Sequence, residues 1–574
     1  MNLRSVLGVA VLFLATSGLN AQVTGRVTGS VVDSTGAAVP DADVSLILAG
    51  SATPAFTTKT TPQGDFTILT VPANTYDLAI EAKGFKKALV GGLKVDPGRA
   101  TDVPVVRLEV GAMVQTVEVS EATTSVQTSN AEVSTTIGKT QIGNLPVLNR
   151  SPLGFLQTQA GINYSYGSTT INGQRPTYVN VTVDGMNIQD NFIRTNDMDY
   201  LPNLLLLDQV AEVTVSTSNA NSSSYGGSSQ VAFVTPSGSN EFHGNAYWSN
   251  RNNYFAANTW FNNQSGTKIP FLNQNQLGGS LGGHVIKDKL FFYTNYEAFR
   301  LRQQSTYNTT ILTSDARNGI FTYNAGGSAQ KVNILQLMNK SIDPTMAGIL
   351  GKVPDASHIN NFNLGDSSST LLRNTAGYRY NARNNRTRDN FTAKGDYLLS
   401  PRNTFTGTFM WNRDLLDRND AQTTFDLVPT VQNNNPVKML TGAWRSTPKA
   451  TLTNEVRFGM NIAPGIFVAS QDVPKFYVAP TLITNPVNMF RTQGRNTNTY
   501  VISDNASWVH DRHTVQFGFQ TQRTRIESFN DAGITPTYTL GLGGNPALTS
   551  AMLPGISATD LSAANNLLSL LAGY

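Results

Sequence analysis

Few residues in this chain have the types and spacing that catalysis requires. The chain contains five histidines and no cysteine, which removes thiolate metal sites and disulfide frameworks. His510 and His513 have a metal-like spacing, but they flank a strand-turn-strand pattern in which the two side chains point differently, and no carboxylate cluster accompanies them. Gly278 to Gly283 lacks the Lys-Ser/Thr of a phosphate loop, and Tyr225-Gly-Gly lacks the strand-to-helix context of a nucleophile elbow. We therefore predict no enzymatic activity, no metal site and no cofactor.

The length and the charge of the chain limit the classes of protein to which it can belong. With 574 residues the chain is too long for one compact core, so several domains are expected. Charged residues make up only 14% and the formal net charge is +4, a balance that argues against a nucleic-acid partner. Beyond the N-terminus the sequence contains no apolar run of the about 18 residues that a transmembrane helix requires.

Residues 1–21 have the pattern of a secretory signal peptide. Arg4 supplies a basic start, residues 6–14 form an apolar stretch, and small and polar residues follow. Cleavage is expected after Ala21, because the next domain begins at Val23, and Ala15-Thr-Ser17 offers an alternative site with small residues at the required positions. The protein is therefore expected to be exported.

Period-two alternation dominates the chain after residue 239. The clearest runs, in which apolar and polar side chains alternate, are Leu290–Ala298, Phe391–Leu399, Thr404–Trp411, Leu452–Met460 and Thr514–Gln520. Each strand is predicted to span about 9–11 residues, which crosses a bilayer when the strand is tilted. Apolar side chains on one face and polar ones on the other are typical of a barrel with lipid outside and a wet lumen.

Turns and loops differ in length, as they do on the two sides of such a barrel. The short turns join successive strands and are Ile286–Lys289, Ser400–Asn403 and His510–His513. These turns are expected in the periplasm. The long Asn/Gln/Ser-rich stretches are expected as extracellular loops and are residues 301–389, 412–439 and 462–499.

The stretch from Val210 to Trp248 marks a junction between two kinds of domain. Two alternating runs are followed by Pro236-Ser-Gly, which interrupts the strand pattern. The string Thr235-Pro-Ser-Gly-Ser-Asn-Glu-Phe-His-Gly244 resembles the plug-to-barrel junction of Oar-like TonB-dependent outer-membrane receptors, with Pro236 and Ser239 replacing two residues of the usual string. The resemblance implies a plug before this point and a barrel after it.

A second motif adds to this resemblance. Residues 276–297 match the family string Gln-x-Gly-Gly-x-x-Gly-Gly-x-x-x-Lys-Asp-Lys-Leu-Phe-Phe-x-x-x-Tyr-Glu, with His284 where proline is usual. Plugged outer-membrane transporters have about 22 strands, but only about nine are predicted in residues 239–574. The last stretch, Leu561–Tyr574, has a helical pattern instead of a closing strand. We therefore expect a truncated product or a fragment.

Residues 22–108 have the pattern of a small β-sandwich. Seven short runs are separated by turn residues, and they are 25–32, 43–48, 56–60, 65–69, 75–83, 88–94 and 101–108. The residues that resemble carboxypeptidase regulatory-like domains are Gly29, Val31, Asp33, Gly36, Val39, Pro40, Ala42 and Val44, with Gly64-Asp-Phe66 and Gly84-Phe85. The resemblance implies a non-catalytic spacer, with carbohydrate binding as an alternative, because this fold is often grouped with carbohydrate-binding sandwiches.

Residues 109–125 form a polar connector that contains one short alternating run. The run consists of Gln115, Thr116, Val117, Glu118 and Val119. Receptors of this type carry a TonB box before the plug, and Thr-Val-x-Val is similar to it. The resemblance implies that the run binds TonB as an extended strand added to a partner sheet. The alternative is that the run is the last strand of the sandwich.

Residues 126–238 are identified as the plug by the same resemblance. Asn172-Gly173 and Asp184-Gly185 are predicted to be tight turns, since glycine supplies the positive φ that such turns need. By analogy with the family, plug loops face outward and touch substrate, and the candidate residues are Arg175, Asp190, Arg194, Asp197 and Asp199. The alternative for each is a hydrated loop that binds no ligand.

Together these features predict a mainly β protein. Its parts are an N-terminal β-sandwich, an α+β plug and part of an antiparallel transmembrane β-barrel. The implied function is that of an outer-membrane TonB-dependent receptor for a large or scarce substrate, such as an oligosaccharide or peptide, with the TonB complex and the lipid bilayer as partners. The alternative is an outer-membrane structural or adhesion protein with the same architecture and no transport.

Overall fold

The computed structural model describes residues 25–49, 51, 53–71, 74–95, 100–111, 116–118, 132–144, 151–163, 169–193, 201–220, 227, 229–421, 424–449, 451–471, 474–510 and 513–574. Most of these residues lie in β-strands, and the strands form a sandwich, a plug and a large curved sheet in that order along the chain. Within the described ranges, no helix is long and apolar enough to cross a membrane.

The N-terminal sandwich consists of two facing sheets around an apolar core. Its strands are β1 Gly25–Asp33, β2 Asp43–Leu48, β3 Pro54–Lys59, β4 Asp65–Val71, β5 Asn74–Glu81, β6 Lys87–Val95, β7 Ala100–Asp102, β8 Val106–Leu108 and β9 Thr116–Glu118. One sheet has the order β4-β1-β7 with β8 also on β1, and the other has the order β3-β2-β5-β6-β9. Phe66, Leu78 and Ile80 are buried between them. The seven predicted runs are confirmed, except that the last run divides into β7 and β8.

The plug contains one five-stranded sheet of order β10-β15-β16-β13-β14 and a two-stranded sheet of β11 and β12. The strands are β10 Val133–Gly138, β11 Ile162–Asn163, β12 Thr170–Ile171, β13 Val179–Val183, β14 Met186–Asn187, β15 Glu212–Ser218 and β16 Ser229–Val234. Helix α1 spans Lys139–Asn144, and 3-10 helices span Pro152–Thr158, Pro176–Tyr178 and Leu207–Gln209. Asp184 and Gly185, with φ of 44° and 78°, close the β13–β14 hairpin, so this predicted turn is confirmed.

The remaining chain forms one long sheet and several outer elements. The strands are β17 His243–Asn252, β18 Leu272–Ile286, β19 Leu290–Leu312, β20 Ile320–Ala325, β21 Ser328–Asn333, β22 Asn361–Gly365, β23 Thr375–Arg383, β24 Arg386–Ser400, β25 Asn403–Asp417, β26 Val431–Lys449, β27 Leu452–Ala469, β28 Tyr477–Ala479, β29 Gln493–His510, β30 His513–Phe529 and β31 Thr537–Thr539. The sheet has the order β17-β18-β19-β24-β25-β26-β27-β29-β30, with β23 on the outer half of β19 and β22 on β23. Among the described residues, no ladder joins β17 to β30.

The alternation of faces along this sheet agrees with the sequence prediction. Thr404 and Thr408 of β25 are buried toward the plug, whereas Phe405 and Phe409 are exposed on the opposite face. We call the side toward the plug the inner face and the opposite side the outer face. All three predicted short turns join paired strands, and the ladder extends to the pair His510 and His513 at the last of them.

Two expectations about this region are wrong. Apart from β17, β22 and β23, which have 10, 5 and 9 residues, the strands of the main sheet are 15 to 23 residues long, not 9–11. Parts of the three long stretches that we expected as loops are strands. Beyond the apolar band a strand is solvated on both faces, so its side chains lose the apolar-polar alternation while its backbone ladder continues. The alternation therefore marked only the lipid-crossing part of each strand.

The outer ends of the strands support a second apolar core. The helices of this part are α2 Trp260–Gln264, α3 Ser314–Arg317, α4 Ile334–Leu337, α5 Pro344–Leu350 and α6 Ala558–Ala572, with 3-10 helices at Asn253–Phe255 and Ala356–His358. We define the outer cluster as the buried apolar core that α6 forms with these elements. Its members include Phe321, Ile334, Met346, Leu567, Leu568 and Leu571. Gly573, with φ of 73°, ends α6, so the predicted helical pattern is confirmed.

The two family-like motifs face each other across the β17–β18 ladder. A Cβ atom at Gly283 would overlap the Phe242 ring, and one at Gly278 would overlap the Tyr247 ring. Gly238 of the junction lies so close to the backbone of Gly283 that a side chain cannot be placed there. Glycine is thus required at these positions because aromatic rings and backbone from the neighbouring motif occupy the side-chain space.

Candidate functional site: the plug and its seat in the barrel wall

The Asp184-Gly185 turn bonds the plug to the wall. The buried Asp184 carboxylate accepts hydrogen bonds from the Thr235 backbone N–H at 3.0 Å and the Thr235 hydroxyl at 2.5 Å. It also accepts one from the Thr408 hydroxyl of β25 at 2.8 Å. A buried carboxylate needs such donors, because an ionised group without partners is costly in a low-dielectric interior. The turn is therefore fixed both to the plug sheet and to the wall.

Charged side chains of the wall complete this contact. Lys394 of β24 donates to the Thr235 carbonyl at 3.0 Å. Arg457 of β27 donates to the Asp184 carbonyl and forms a 2.7 Å ion pair with Glu455. All three charged side chains are buried. Removing one partner of a buried ion pair costs several kcal/mol of stability. The charged groups of the inner face therefore need the partners that a seated plug supplies. We call this arrangement, from Asp184 and Thr235 to Thr408, Lys394 and Arg457, the plug seat.

Apolar contact between plug and wall is limited and local. Met186 of β14 belongs to the same buried apolar cluster as Met410, Met439 and Val501 of the wall. A Cβ atom at Gly459 of β27 would overlap the Met186 sulfur, so this glycine forms a notch for the methionine. A flexible thioether fills such a gap without requiring one precise shape.

Amide and hydroxyl side chains make several further bonds between plug and wall. The hydrogen bonds are reciprocal between Asn203 and Asn461 at 3.1 and 2.8 Å, from Gln209 to Thr392 at 3.0 Å, from Asn390 to the Leu204 carbonyl at 2.9 Å, and from Asn191 to Thr499 at 3.0 Å. Water replaces such bonds at a net cost of about 0.5–1.5 kcal/mol each. These amide and hydroxyl bonds are thus individually replaceable.

The structure separates the predicted substrate residues into different environments. Arg175 is exposed at the start of the 3-10 helix Pro176–Tyr178. Asp190 is buried, accepts hydrogen bonds from the backbone N–H groups of Phe192 and Ile193 at 3.0 and 3.1 Å, and pairs with Arg495 of β29. Its carboxylate therefore holds the loop in place. Arg194, Asp197 and Asp199 lie outside the described residues.

Sequence analysis did not identify Phe192 and Ile193, the two residues whose backbone N–H groups bond to Asp190. Phe192 and Ile193 are exposed on the plug, and the Arg495 guanidinium lies 5.5 Å from the Phe192 ring centroid. The only sequence signal was an apolar pair inside an otherwise polar loop. These side chains, and not Asp190 itself, are available for contact at this position.

The candidate TonB box lies at the edge of the sandwich. Thr116, Val117 and Glu118 form β9, which pairs in parallel with β6 through Lys87, Ala88 and Leu89. Gln115 and Val119 lie outside the described residues. The segment is therefore in the extended conformation that strand addition needs, and it also occupies the position of a last sandwich strand.

The sandwich itself contacts the wall at the end that carries the short turns. Arg445 of β26 is buried, its guanidinium lies 4.1 Å from the Phe56 ring centroid, and it donates to the Leu69 carbonyl at 2.7 Å. Burial raises the pKa of the neighbouring Tyr76 hydroxyl, which therefore stays neutral beside this cation. No local sequence signal marked Arg445, because arginines are common on inward faces of barrel strands.

Two further contacts fix the same interface. Phe291 of β19 belongs to the buried core cluster of the sandwich, and Ser51 donates a 2.8 Å hydrogen bond to Asp288 in the β18–β19 turn. The sandwich thus contacts the wall at the end of the sheet that carries the short turns. Within the described residues, no group of three or more His, Asp or Glu side chains is placed to hold a metal ion.

A curved antiparallel sheet with an apolar outer face and a plug on its inner face defines a class of outer-membrane barrel proteins. Residues 234–574, more than half of the chain, match the family model described as outer membrane beta barrel domain, and the chain belongs to that family. Residues 26–109 match the model of the carboxypeptidase regulatory-like domain.

The chain is also similar to individual proteins. The chain is 26% identical over 274 residues to the TonB-dependent transporter Oar of Myxococcus xanthus, a match that covers 45% of this chain and 25% of Oar. Among solved structures it is similar to the outer membrane transporter YddB from Escherichia coli, with a TM-score of 0.44, 11% identity, and coverage of 69% of this chain and 48% of YddB. The siderophore receptor PirA from Acinetobacter baumannii gives a TM-score of 0.43, 10% identity, and coverage of 69% and 48%. The chain therefore spans about a quarter of Oar and about half of these solved chains.

Proposed function

We propose that this chain acts as a TonB-dependent receptor of the outer membrane that takes up a large or scarce substrate, such as an oligosaccharide or a peptide. The observation that carries the proposal is the polar plug seat. Hydrogen bonds around Asp184 and Thr235 hold the plug, and within the described residues the apolar contact around Met186 is small. A plug held in this way can be displaced by force without exposing a large apolar surface to water.

The order of the domains supports a pulling mechanism. The candidate TonB box at residues 115–119 precedes the plug in the chain, and the sandwich lies at the turn end of the barrel. A force applied at this segment from the periplasm would reach the plug through the connector. The match to Oar supports TonB as the source of the force, and residues 1–21 are proposed as the signal that directs export.

A site-specific cross-link tests the TonB contact without requiring a known substrate. A photoreactive benzoyl-phenylalanine replaces Val117 in the full chain, and the expected result is an adduct with TonB after illumination of living cells. The same residue at Thr57, exposed on the opposite edge strand β3, is the matched control and should give no adduct. An adduct at Thr57 alone, or at neither position, contradicts the proposal.

Deletion of residues 115–119 tests transport. Uptake of a fluorescent oligosaccharide or peptide that the intact protein imports should be lost, while the amount of protein in the outer membrane stays the same. Unchanged uptake would show that the segment does not couple the protein to TonB.

One observation favours the alternative of a structural or adhesion protein. Thr116–Glu118 is already paired with β6, so a partner has to compete with the sandwich for this strand or bind its outer edge. If the segment serves only the sandwich, Val117 gives no adduct with TonB and the deletion does not change uptake. Binding of cells to surfaces is then the activity to measure.

A further inference from the structure

The segment between β17 and β18 exposes aromatic side chains to an unusual degree. Tyr254, Phe255, Trp260 and Phe261 are 84%, 88%, 66% and 56% exposed. The two neighbouring pairs each make an edge-to-face contact, with ring centroids 5.2 Å and 5.0 Å apart. We call residues 253–268 the aromatic segment. Scattered exposed apolar residues are normal, but four adjacent aromatic rings indicate a binding surface.

Hydrogen bonds hold this segment against the outer face of the sheet, not over the lumen. Asn262 of α2 is buried, accepts a 2.8 Å hydrogen bond from Arg379 of β23 and donates one of 3.4 Å to Thr306 of β19. Thr306 lies on the same face of β19 as Phe292 and Tyr296, since alternate residues of a strand share a face. The segment therefore folds outward, over the face that contacts lipid lower down.

Two more bonds fix the end of the segment on the same face. Asn381, which pairs with Thr306 in the β19–β23 ladder, donates to the Lys268 carbonyl at 2.8 Å. The Thr267 hydroxyl donates to the Arg379 carbonyl at 3.4 Å. The aromatic rings are thus presented by a fixed support and point away from it.

The height of the segment coincides with the membrane surface. From the turn at Ile286 to Leu272, β18 rises about 46 Å along its axis, at about 3.3 Å per residue. A tilt of about 40° reduces this to about 35 Å along the membrane normal. The apolar band of such barrels is about 25 Å tall, and a bilayer with its headgroups is about 40–45 Å thick. The segment therefore begins at the level of the headgroups on the side opposite the sandwich.

The composition of the segment fits this environment. Residues 252–267 contain no charged side chain, and Trp and Tyr are the residues that favour the boundary between headgroups and acyl chains. Trp248 and Phe271, which precede and follow the segment in the chain, are exposed as well.

From this geometry we propose that the aromatic segment inserts Tyr254, Phe255, Trp260 and Phe261 into the surface of the outer leaflet and anchors the barrel there. The partner is a lipid surface, and the contact is independent of the plug and of TonB. Asn262 and Arg379 position the rings, since they attach the segment to the barrel wall.

Spin labelling tests the proposal directly, because the chain has no cysteine that would have to be removed. Single cysteines replace Phe255 or Phe261 in the full chain, carry a nitroxide, and are examined in vesicles of phosphatidylcholine and phosphatidylglycerol at a ratio of about 3:1. A matched control label replaces Ser328, which is exposed on the outer β20–β21 hairpin. For each label the ratio of its collision rate with oxygen to its collision rate with nickel–EDDA is measured. This ratio should be at least about threefold higher for both test labels than for the Ser328 label.

A second measurement keeps the test valid if a label disturbs the fold. A variant that keeps only Trp260 among the five tryptophans, with phenylalanine at the others, is placed in vesicles with lipids brominated near the headgroup or near the chain end. Trp260 fluorescence should be quenched at least about twofold more by the shallow bromines. A variant that keeps only Trp444, on the lipid face of β26, confirms correct insertion. Unquenched Trp260 with quenched Trp444, or labels as accessible to nickel–EDDA as Ser328, would overturn the proposal and leave a protein partner as the occupant.

Discussion

The plug seat and the outer cluster join distant parts of the chain in different ways. In the outer cluster, Leu567, Leu568 and Leu571 of α6 are fully buried among apolar side chains from the β20–α5 region. At the plug seat, Asp184 is bound through hydrogen bonds and buried charges. Apolar burial favours assembly without directional partners, whereas each polar bond contributes little net free energy and depends on its particular partner. The comparison indicates that the outer cluster depends on apolar burial, whereas the seat depends on matched polar and charged partners.

The largest expected effect on stability is in the outer cluster. Leu568→Ala should destabilise the outer cluster by about 3 kcal/mol, since a large-to-small change in a full core loses buried area and leaves a cavity. Hydrogen exchange of α6 and α5 should become markedly faster, while exchange in the plug stays unchanged. Ser562→Ala, at an exposed position of the same helix, is the control and should have no effect. Equal protection in both variants would mean that the cluster does not hold α6.

A smaller effect is expected at the seat. Asp184→Asn should weaken plug seating by about 1.5 kcal/mol, because a neutral amide replaces a charged acceptor of three hydrogen bonds. Asparagine tolerates the positive φ of this position, so the turn itself is retained.

Trypsin cleavage of the plug in increasing urea measures this change. The plug of the Asp184→Asn variant should become sensitive at lower urea, while the barrel still migrates as a folded species on unheated gels. Asp65→Asn, at an exposed site of the sandwich, should leave the urea midpoint unchanged. If both variants behave alike, the Asp184 contacts do not hold the plug.

The smallest effect concerns the apolar notch within the polar seat. Gly459→Ala should weaken seating by about 1 kcal/mol, because the new methyl group displaces a flexible methionine side chain. The double variant with Met186→Ala should recover part of this loss, since the two side chains share one space. The same urea and trypsin measurement applies, and additive losses in the double variant would show that the two residues do not touch.

Much of the architecture could be predicted from local patterns. Period-two alternation located the lipid-crossing strands and the sandwich strands, and Asp184-Gly185 was predicted as a turn from its need for positive φ. Strand ends beyond the membrane could not be predicted, because the apolar requirement that produces the alternation ends with the bilayer. The predicted outer loops were therefore too long.

The sequence by itself determined the class of the protein, through strand periodicity, short turns and two motifs that resemble a known receptor family. Only the tertiary structure decided the roles of Asp184, Arg445 and Asn262, and showed that Asp190 is bonded within its own loop and to Arg495. The physical reason is distance along the chain. A turn or a strand is encoded by neighbouring residues, whereas a buried charge acquires its role from partners brought close only by folding.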